Sequence, residues 1–298
     1  MRVTFDAQHR EALDNVNRAS ERLLVYQRQV TSGKRVERPS DDPSAAAAAS
    51  VERAKLAETD QYTATTDSAR ARLLVTDTVL SDVIQQLTAA QVAVTAARGT
   101  SLTPAQREAK AQELEVLRDA ILQDVNTKFR GTYVFGGAAA TVQPYSKNNA
   151  GVVSAYQGSA VEVSVDIDNS LEVPIAFNGE TLARGSDVDD VFVVLDQAIA
   201  ATRAGDTNTL NTAATALQRA FERATGVQSR VGAALRSVED GQLRLAEVTR
   251  STESRLTTLE QVNMASAITN MTQAETVYQA ALAATGRLHQ LSLMDYLR

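Results

Sequence analysis

The sequence predicts a mainly α-helical fold: an elongated antiparallel long-helix bundle with paired N- and C-terminal coiled-coil helices and a small inserted antiparallel β domain. Three observations predict it. Apolar residues recur alternately four and three apart over most of the chain, which places them on one face of a helix. Two-residue alternation is confined to a short central stretch. Proline is absent after Pro174, which permits very long helices in the remainder of the chain.

The first predicted helix runs from about Thr4 to Thr31 and ends at Gly33. It carries an N-terminal stripe of residues at four-three spacing, and the end of the chain carries a C-terminal stripe of the same kind. Coiled coils are built on such stripes, so we expect the two ends of the chain to pair. The N-terminal stripe comprises Phe5, His9, Ala12, Val16, Ala19, Leu23, Tyr26 and Val30, and the C-terminal stripe comprises Ala267, Met271, Ala274, Tyr278, Ala281, Thr285 and Leu288.

Two further helices precede the central stretch. The second is predicted from Ser44 to about Arg98, with Asp42 as its N-cap and Pro43 in its first turn. The third starts at the capping sequence 103–106 and ends near residues 129–131. The stripe of the second helix comprises Tyr62, Thr66, Ala69, Leu73, Thr76, Leu80, Val83, Leu87, Ala90 and Val94.

Residues 138–185 predict a small β unit. Apolar residues at 161–167 alternate with polar and acidic ones, and 171–177 repeats the pattern after a turn at Asn169-Ser170. Asn178-Gly179 is a further turn signal. Alternation with one buried face predicts an antiparallel hairpin.

Helix returns after Asp187, a candidate N-cap, and extends to Gly205. The last helical region is predicted from Thr207 almost to Arg298, with glycines 226 and 232 as candidate breaks. The predicted domains are therefore a terminal assembly domain (1–43 and 255–298), a helical bundle (44–137 and 186–254) and a β-rich outer domain (138–185).

The composition excludes several classes of function. The chain has 298 residues, no cysteine and a net charge of -6, which removes disulfides and thiolate chemistry and argues against a general nucleic-acid binder. No stretch of eighteen apolar residues exists, so we expect no membrane partner. No apolar core follows Arg2, so we expect a cytosolic protein or one exported without a cleaved signal.

No constellation of catalytic residues is visible. The two histidines, His9 and His289, cannot supply a triad or a metal set, and the glycines at 131–137 lack the Lys-Ser/Thr of a phosphate loop. We therefore expect no enzyme activity, cofactor or metal. His9 is either a pH-sensitive packing position or a tolerated polar residue. The basic cluster at 34–38 either docks a neighbouring subunit or is a solvated loop.

The composition of the two stripes suggests what the terminal helices do. Alanine, threonine and histidine occupy positions where leucine would bury more apolar area, and closing a loop of more than 200 residues adds an entropic cost. Residues 261–273 are crowded with uncharged polar side chains, which suit a face pressed against another chain. We infer that the stripes, apart from His9, Ala19 and Thr285, are assembly interfaces that become ordered among neighbouring subunits.

Several segments resemble the flagellin superfamily. They are residues 31–45, which include Gly33 and the sequence Ser40-Asp41-Asp42-Pro43, then 231–239, and the terminal stretch from Ala274 to Leu297. Within that superfamily the chain is more similar to proteins of the hook–filament junction than to filament flagellins. This closer similarity rests on three features of the sequence. They are Ser-Asp-Asp-Pro at 40–43, the segment 131–137 together with the short motifs at 144–145 and 156–158, and the ending 292–297.

The resemblance implies a structural adaptor of the bacterial flagellum with no catalysis. It implies secretion through the flagellar type III apparatus, aided by a flagellar export chaperone that holds the C-terminal helix. It also implies a ring of identical subunits between hook-associated protein 1 and the first flagellin layer, with the β unit projecting outward. Two rival interpretations are a short flagellin that forms the filament itself and, from another class, a cytosolic coiled-coil signalling module.

Overall fold

A computed structural model of the chain describes residues 2–99, 102–149, 151–169 and 171–296, with the side chains of 2–6, 8, 9 and 288–296 excepted. It confirms the mainly helical fold with a small antiparallel β part. The helices are α1 (Arg2–Ser32), α2 (Pro43–Ala97), α3 (Pro104–Val125), α4 (Gly179–Ala183), α5 (Val191–Ala204), α6 (Thr207–Glu260) and α7 (Met264–Tyr296). The strands are β1 (Lys128–Phe129), β2 (Thr132–Tyr133), β3 (Val163–Asp168) and β4 (Leu171–Ala176).

The chain forms two compact units. The terminal unit comprises Met1–Glu58 and Val248–Arg298, and the central unit comprises Thr59–Glu247. Helices α2 and α6 contribute residues to both units. The three-part division made from the sequence stays a prediction.

The central unit encloses a continuous apolar core. Every residue of the predicted α2 stripe from Thr66 to Val94 is buried, and Tyr62 is half-buried. Helices α3, α5 and α6 supply fully buried leucine, isoleucine and phenylalanine side chains to the same cluster. At about 25 cal/mol per Å² of apolar area, side chains of this size stabilise the unit strongly. They include Leu114, Ile121, Phe192, Leu195, Leu210 and Leu217.

Several helix ends lie where the sequence places them. Gly33 follows α1 with φ of 69°, a left-handed conformation that favours glycine. The carboxylate of Asp42 accepts a hydrogen bond from the amide of Ala45 at the start of α2. Thr103 and Gln106 form a reciprocal capping box at the start of α3. These ends follow from local chemistry, which explains why the sequence was sufficient to find them.

Two other helix ends differ from the prediction. Helix α3 stops at Val125 rather than near 129–131, because residues 128–133 turn back as the β1–β2 hairpin. The N-cap of α5 is Asp190, whose carboxylate accepts from the amides of Phe192 and Val193. Asp187 instead forms ion pairs with Arg219 and Arg223, so its carboxylate links the segment before α5 to helix α6.

The last helical region is interrupted at 261–263 and not at the candidate glycines 226 and 232. The backbone amide of Arg35 donates to the carbonyl of Glu260 at 2.6 Å, and the amide of Val262 donates to the carbonyl of Gly33 at 3.0 Å. Asn263 then caps α7 by accepting from the amide of Ser266. Pairing between two turns, rather than a helix-breaking residue, ends α6.

The predicted hairpin is confirmed as β3 paired antiparallel with β4. Strand β3 begins at Val163 rather than Val161, and Asn178 is the N-cap of the short helix α4 rather than a turn residue. Much of the remaining 138–162 stretch is irregular, held by backbone hydrogen bonds such as Ser159 to Gly136 at 3.0 Å. Gly137 has φ of 57°, and a Cβ there would clash with the carbonyl of Ser159.

Candidate assembly interface

Helices α1 and α7 pack against each other along the terminal unit. They run antiparallel, because the turn that follows Ser32 is hydrogen-bonded to the turn that precedes Met264. The sequence-predicted return of the C-terminal helix to the N-terminal helix is therefore present in the structure. Among the described side chains, this pairing gives each terminal helix one covered side and leaves much of the opposite side exposed.

The covered side is the side that the two stripes predict. Ala19, Ala267 and Ala274 are buried, with 6%, 1% and 8% of their surface exposed. The side chains of Phe5, His9 and Leu288 lie outside the described residues. The remaining stripe residues are all half-buried, namely Ala12, Val16, Leu23, Tyr26, Val30, Met271, Tyr278, Ala281 and Thr285. A predominantly half-buried stripe means that the pair does not seal its own apolar surface.

A second set of apolar side chains on these helices is exposed. On α1, Leu13 and Leu24 are 43% and 55% exposed, and their eleven-residue separation is close to three helical turns, so they share a face. On α7, Ile268, Val277 and Leu282 are 46–49% exposed. Sequence reasoning from the stripes missed these residues, because they lie outside the four-three pattern.

The first 23 residues of α7, 264–286, are nearly free of charge. Across residues 264–286 the sequence has one charged side chain, Glu275, whereas residues 10–32 of α1 contain seven. The exposed hydroxyls of Thr269, Thr272 and Thr276 each donate to the carbonyl four residues earlier, at 2.9–3.0 Å. A helix face with satisfied donors and little charge can be buried by another protein at small desolvation cost.

The loop at 33–43 is organised by hydrogen bonds to two aspartates. The Asp41 carboxylate accepts from the amides of Glu37 and Arg38, at 3.1 and 2.8 Å. These amide bonds, led by that of Arg38, hold the pKa of Asp41 below its usual value. Asp42 accepts from Ala45, Ser44 and Arg35, and the amide of Ala45 contributes most to holding the Asp42 pKa well below its usual range. Ser40 and Pro43 are exposed.

Glu260 is the one charged side chain that is buried among the described residues of the terminal unit, with 5% of its surface exposed. Its carboxylate contacts Lys34 at 2.8 Å and also Arg53, so the turn after α1, helix α2 and the end of α6 meet at one acid. Burial raises the pKa of Glu260, but the two cations outweigh it and hold the pKa below its usual value. We call Glu260, Lys34 and Arg53 the turn clasp.

The basic cluster at 34–38 is largely used within the chain. Lys34 belongs to the turn clasp, and Arg35 contacts Asp42 and the carbonyl of Leu259. Arg38 is exposed. Lys34 and Arg35 hold the two turns together while their side chains stay about half exposed, so docking of a neighbouring subunit and a solvated loop both stay predictions for this cluster.

The described part of the chain contains neither a metal-binding cluster nor a helix that could span a membrane. No group of three or more histidine, aspartate or glutamate side chains is placed to hold a metal ion there. None of the described helices combines the length and apolar character needed to cross a bilayer.

Two protein-family models match the chain. The bacterial flagellin N-terminal helical region matches residues 6–140, and the bacterial flagellin C-terminal helical region matches residues 214–297. The first contains most of α1, the loop at 33–43, α2 and α3, and the second contains most of α6 and all of α7. Together the two models cover both helices of the candidate interface.

Curated relatives and solved structures agree with the family models. The flagellar hook-associated protein 3 of Escherichia coli K12 is 25% identical over a 318-residue alignment that covers 99% of each chain. Its namesake in Salmonella typhimurium is 27% identical over 67% of this chain and 66% of its own. A hook-associated protein 3 from Legionella pneumophila has a similar fold, with a TM-score of 0.63 at 14% identity, over 70% of this chain and 98% of its own. Bacillus cereus FlgL also has a similar fold, with a TM-score of 0.59 at 22% identity, over 70% of this chain and 99% of its own.

Proposed function

This chain belongs to the bacterial flagellin family, and we propose that it is the structural adaptor subunit that joins the flagellar hook to the flagellin filament. The observation that carries the proposal is the α1–α7 pair, which exposes apolar side chains on both helices and a nearly uncharged stretch, residues 264–286, on α7. The full-length similarity to flagellar hook-associated protein 3 supports the adaptor role over that of a filament flagellin.

The physical basis of the proposal is the incomplete burial of the terminal helices. Leu13, Leu24 and Ile268 remain about half exposed although their helices are already paired. Covering such side chains with neighbouring subunits removes apolar area from water, which favours association. The candidate interface comprises the half-buried stripes together with these exposed apolar side chains.

The same proposal extends to partners and location. The subunits form a ring of identical copies, with hook-associated protein 1 on one side and flagellin on the other. The chain reaches this position by flagellar export, with a chaperone covering the C-terminal helix beforehand. The low charge of α7 supports the need for such a chaperone, since an unpaired apolar helix face invites non-specific association.

Electron microscopy of the labelled full-length protein on detached flagella tests the location. The adaptor role predicts a narrow band of label at the base of the filament. Label along the whole filament would support a short flagellin instead, and label confined to the cytosol would support a signalling module.

Seeded polymerisation of the purified chain separates adaptor from flagellin in solution. We expect growth from hook fragments to stop after a limited addition of subunits. Unlimited growth of long filaments from this protein alone would contradict the junction role.

A further inference from the structure

An open groove lies on the central unit, between the first turns of its α2 segment and the two hairpins. It has a volume of about 520 Å³ and is bounded by α2 residues 61–72, Phe129 and Arg130 of the first hairpin, and Val165 and Ile175 of the second. Its apolar floor is formed by alanine, valine, isoleucine and phenylalanine side chains. Among the described residues that line it, two are arginines and none is acidic. We call it the arginine groove.

Arg72 gives the groove a positive charge that forms no ion pair with the described residues. Its side chain is buried, with 8% exposed, and donates to the carbonyls of Ile175 and Tyr133 and to the hydroxyl of Thr132, at 2.8–2.9 Å. All three acceptors are neutral, so the charge is hydrogen-bonded but not neutralised. Burial lowers the pKa of Arg72, as expected for a cation that lacks a carboxylate partner.

Arg130 is held at the rim in a strained conformation. It has φ of 48° and precedes Gly131 with φ of 84°, so this two-residue turn has the positive angles of type I′, which favours asparagine at the arginine position. A non-glycine residue held in this region costs about 1–3 kcal/mol, and such strain often marks a functional residue. The guanidinium donates to Ser68 at 3.2 Å and lies over Phe129, with no ion pair among the described residues.

A complementary protrusion lies elsewhere on the central unit. Val188 is 88% exposed, the most exposed large apolar side chain of the described residues, and it is flanked by Asp187 and Asp189. Asp187 is already paired with Arg219 and Arg223. Asp189 is exposed and accepts only a 3.4 Å hydrogen bond from Gln197. We call residues 186–190 the acidic knob.

We propose that the acidic knob of one copy of this chain docks in the arginine groove of a second copy. Val188 covers the apolar floor, and the Asp189 carboxylate meets Arg130 at the rim, above the uncompensated charge of Arg72. Each side supplies what the other lacks: an unpaired carboxylate with an exposed apolar residue, and two arginines over an apolar surface. The inference rests on the proposed function, because it requires that copies of the chain assemble with one another.

A chain cannot dock its own knob in its own groove. Val191, which follows the knob, lines a small cavity with Val83 and Leu87 of α2, whereas the groove is lined by α2 residues 61–72. At 1.5 Å per residue, this separates knob and groove by about 27 Å along α2. The contact is therefore heterologous, of the kind that builds rings or helical arrays, and it staggers neighbouring copies along their helices.

Because the chain contains no cysteine, introduced thiols can be cross-linked without background and report the contact directly. Ala64→Cys places a thiol on the exposed edge of the groove, and Ser186→Cys places one beside Val188 without removing it. Flagella that carry the full-length double variant are treated with a short bis-maleimide reagent. We expect a ladder of cross-linked copies. We expect none from either single variant, nor from Ala64→Cys combined with Val116→Cys, a 69% exposed control position on α3.

Charge exchange tests the pairing itself. In the double-cysteine background, Arg130→Glu should lower the cross-linking yield about fivefold, and Asp189→Arg should do the same. Combining both changes should restore the yield. If a charge variant fails to assemble into flagella, the cross-linking result of the Ala64→Cys, Ser186→Cys variant alone decides whether the contact exists.

The outcomes separate this inference from the proposed function. Label at the filament base with no ladder from the double-cysteine variant would overturn the knob-in-groove contact and leave the adaptor role intact. A cross-link from the groove to a different flagellar protein would also overturn it, because the occupant would then not be a second copy. Absence of the protein from the filament base contradicts the adaptor role instead.

Discussion

The terminal and central units are both built from long helices, but they bury different side chains. In the central unit the fully buried residues include Leu73, Leu80 and Phe192. Among the described side chains of α1 and α7, the buried residues are Ala19, Ala267 and Ala274, and leucines such as Leu24 remain exposed. Burial of large side chains makes a core that holds itself together. Burial of alanine removes less apolar area from water and leaves larger apolar side chains such as Leu13 and Leu24 exposed.

The largest expected effect comes from placing a charge in the terminal stripes. Leu23→Asp or Tyr278→Asp should abolish incorporation into flagella, because a carboxylate buried without a partner costs several kcal/mol. The central unit should remain folded, since neither residue contributes to it. Circular dichroism and a flagellar incorporation assay measure the two outcomes together. Glu21→Gln, an exposed change on the same helix, should have no effect. Loss of the whole helical circular dichroism signal in Leu23→Asp would show that the central unit does not fold independently of the terminal helices.

A leucine truncation in each unit sharpens the contrast. Leu80→Ala should lower the free energy of unfolding by about 3 kcal/mol, because Leu80 is fully buried and its removal leaves a cavity. Leu24→Ala should change the free energy of unfolding by less than about 0.5 kcal/mol but weaken assembly. Urea unfolding and the incorporation assay report the two properties. Equal losses of stability in both variants would show that Leu24 is structural.

The turn clasp predicts a pH-dependent difference confined to the terminal unit. The folded-state pKa of Glu260 is below its unfolded value, so its stabilisation is present above the unfolded pKa and is lost as pH falls through the folded pKa. Glu260→Gln should weaken protection of the amides of Arg35 and Val262 by about 1 kcal/mol at pH 7, since Lys34 and Arg53 are half exposed.

Hydrogen exchange read at several pH values measures the effect of Glu260→Gln. The difference between wild type and variant should shrink below about pH 4. A difference that persists unchanged in acid would mean that the carboxylate charge is not what holds the turns.

The smallest expected effect concerns a hydroxyl on α7. Thr276→Val removes a hydroxyl that already donates a hydrogen bond to the carbonyl of Thr272 within the same helix. Stability should change by less than about 0.5 kcal/mol, and incorporation should be unchanged. Loss of incorporation would show that the Thr276 hydroxyl forms a hydrogen bond to a neighbouring subunit. The α7 face would then contribute polar contacts to the assembly.

Local signals in the sequence were sufficient for much of the fold. The four-three stripes identified the buried face of α2 from Thr66 to Val94 and the covered side of the α1–α7 pair. Gly33, Asp42 and Thr103 marked helix ends because their side chains or backbone angles act within a few residues. The role of the twelve stripe residues as assembly contacts stays a prediction, since a single chain does not contain its neighbours.

Long-range partners were invisible to the same reasoning. Asp187 and Asp190 are both suitable caps, and only the position of Arg219 and Arg223 on a later helix decides that Asp187 pairs and Asp190 caps. Glycines 226 and 232 do not end α6, since buried neighbours such as Val227 and Val231 hold the helix in place at a cost of about 1 kcal/mol per glycine.

The sequence by itself determined the helical periodicity, the caps and the hairpin, because each depends on residues a few positions apart along the chain. Only the tertiary structure decided where α6 ends, which acid forms the turn clasp and that Arg72 and Arg130 face one groove. Those features join residues more than fifty positions apart. The bonds that make them form after the chain has folded back, so no local pattern encodes them.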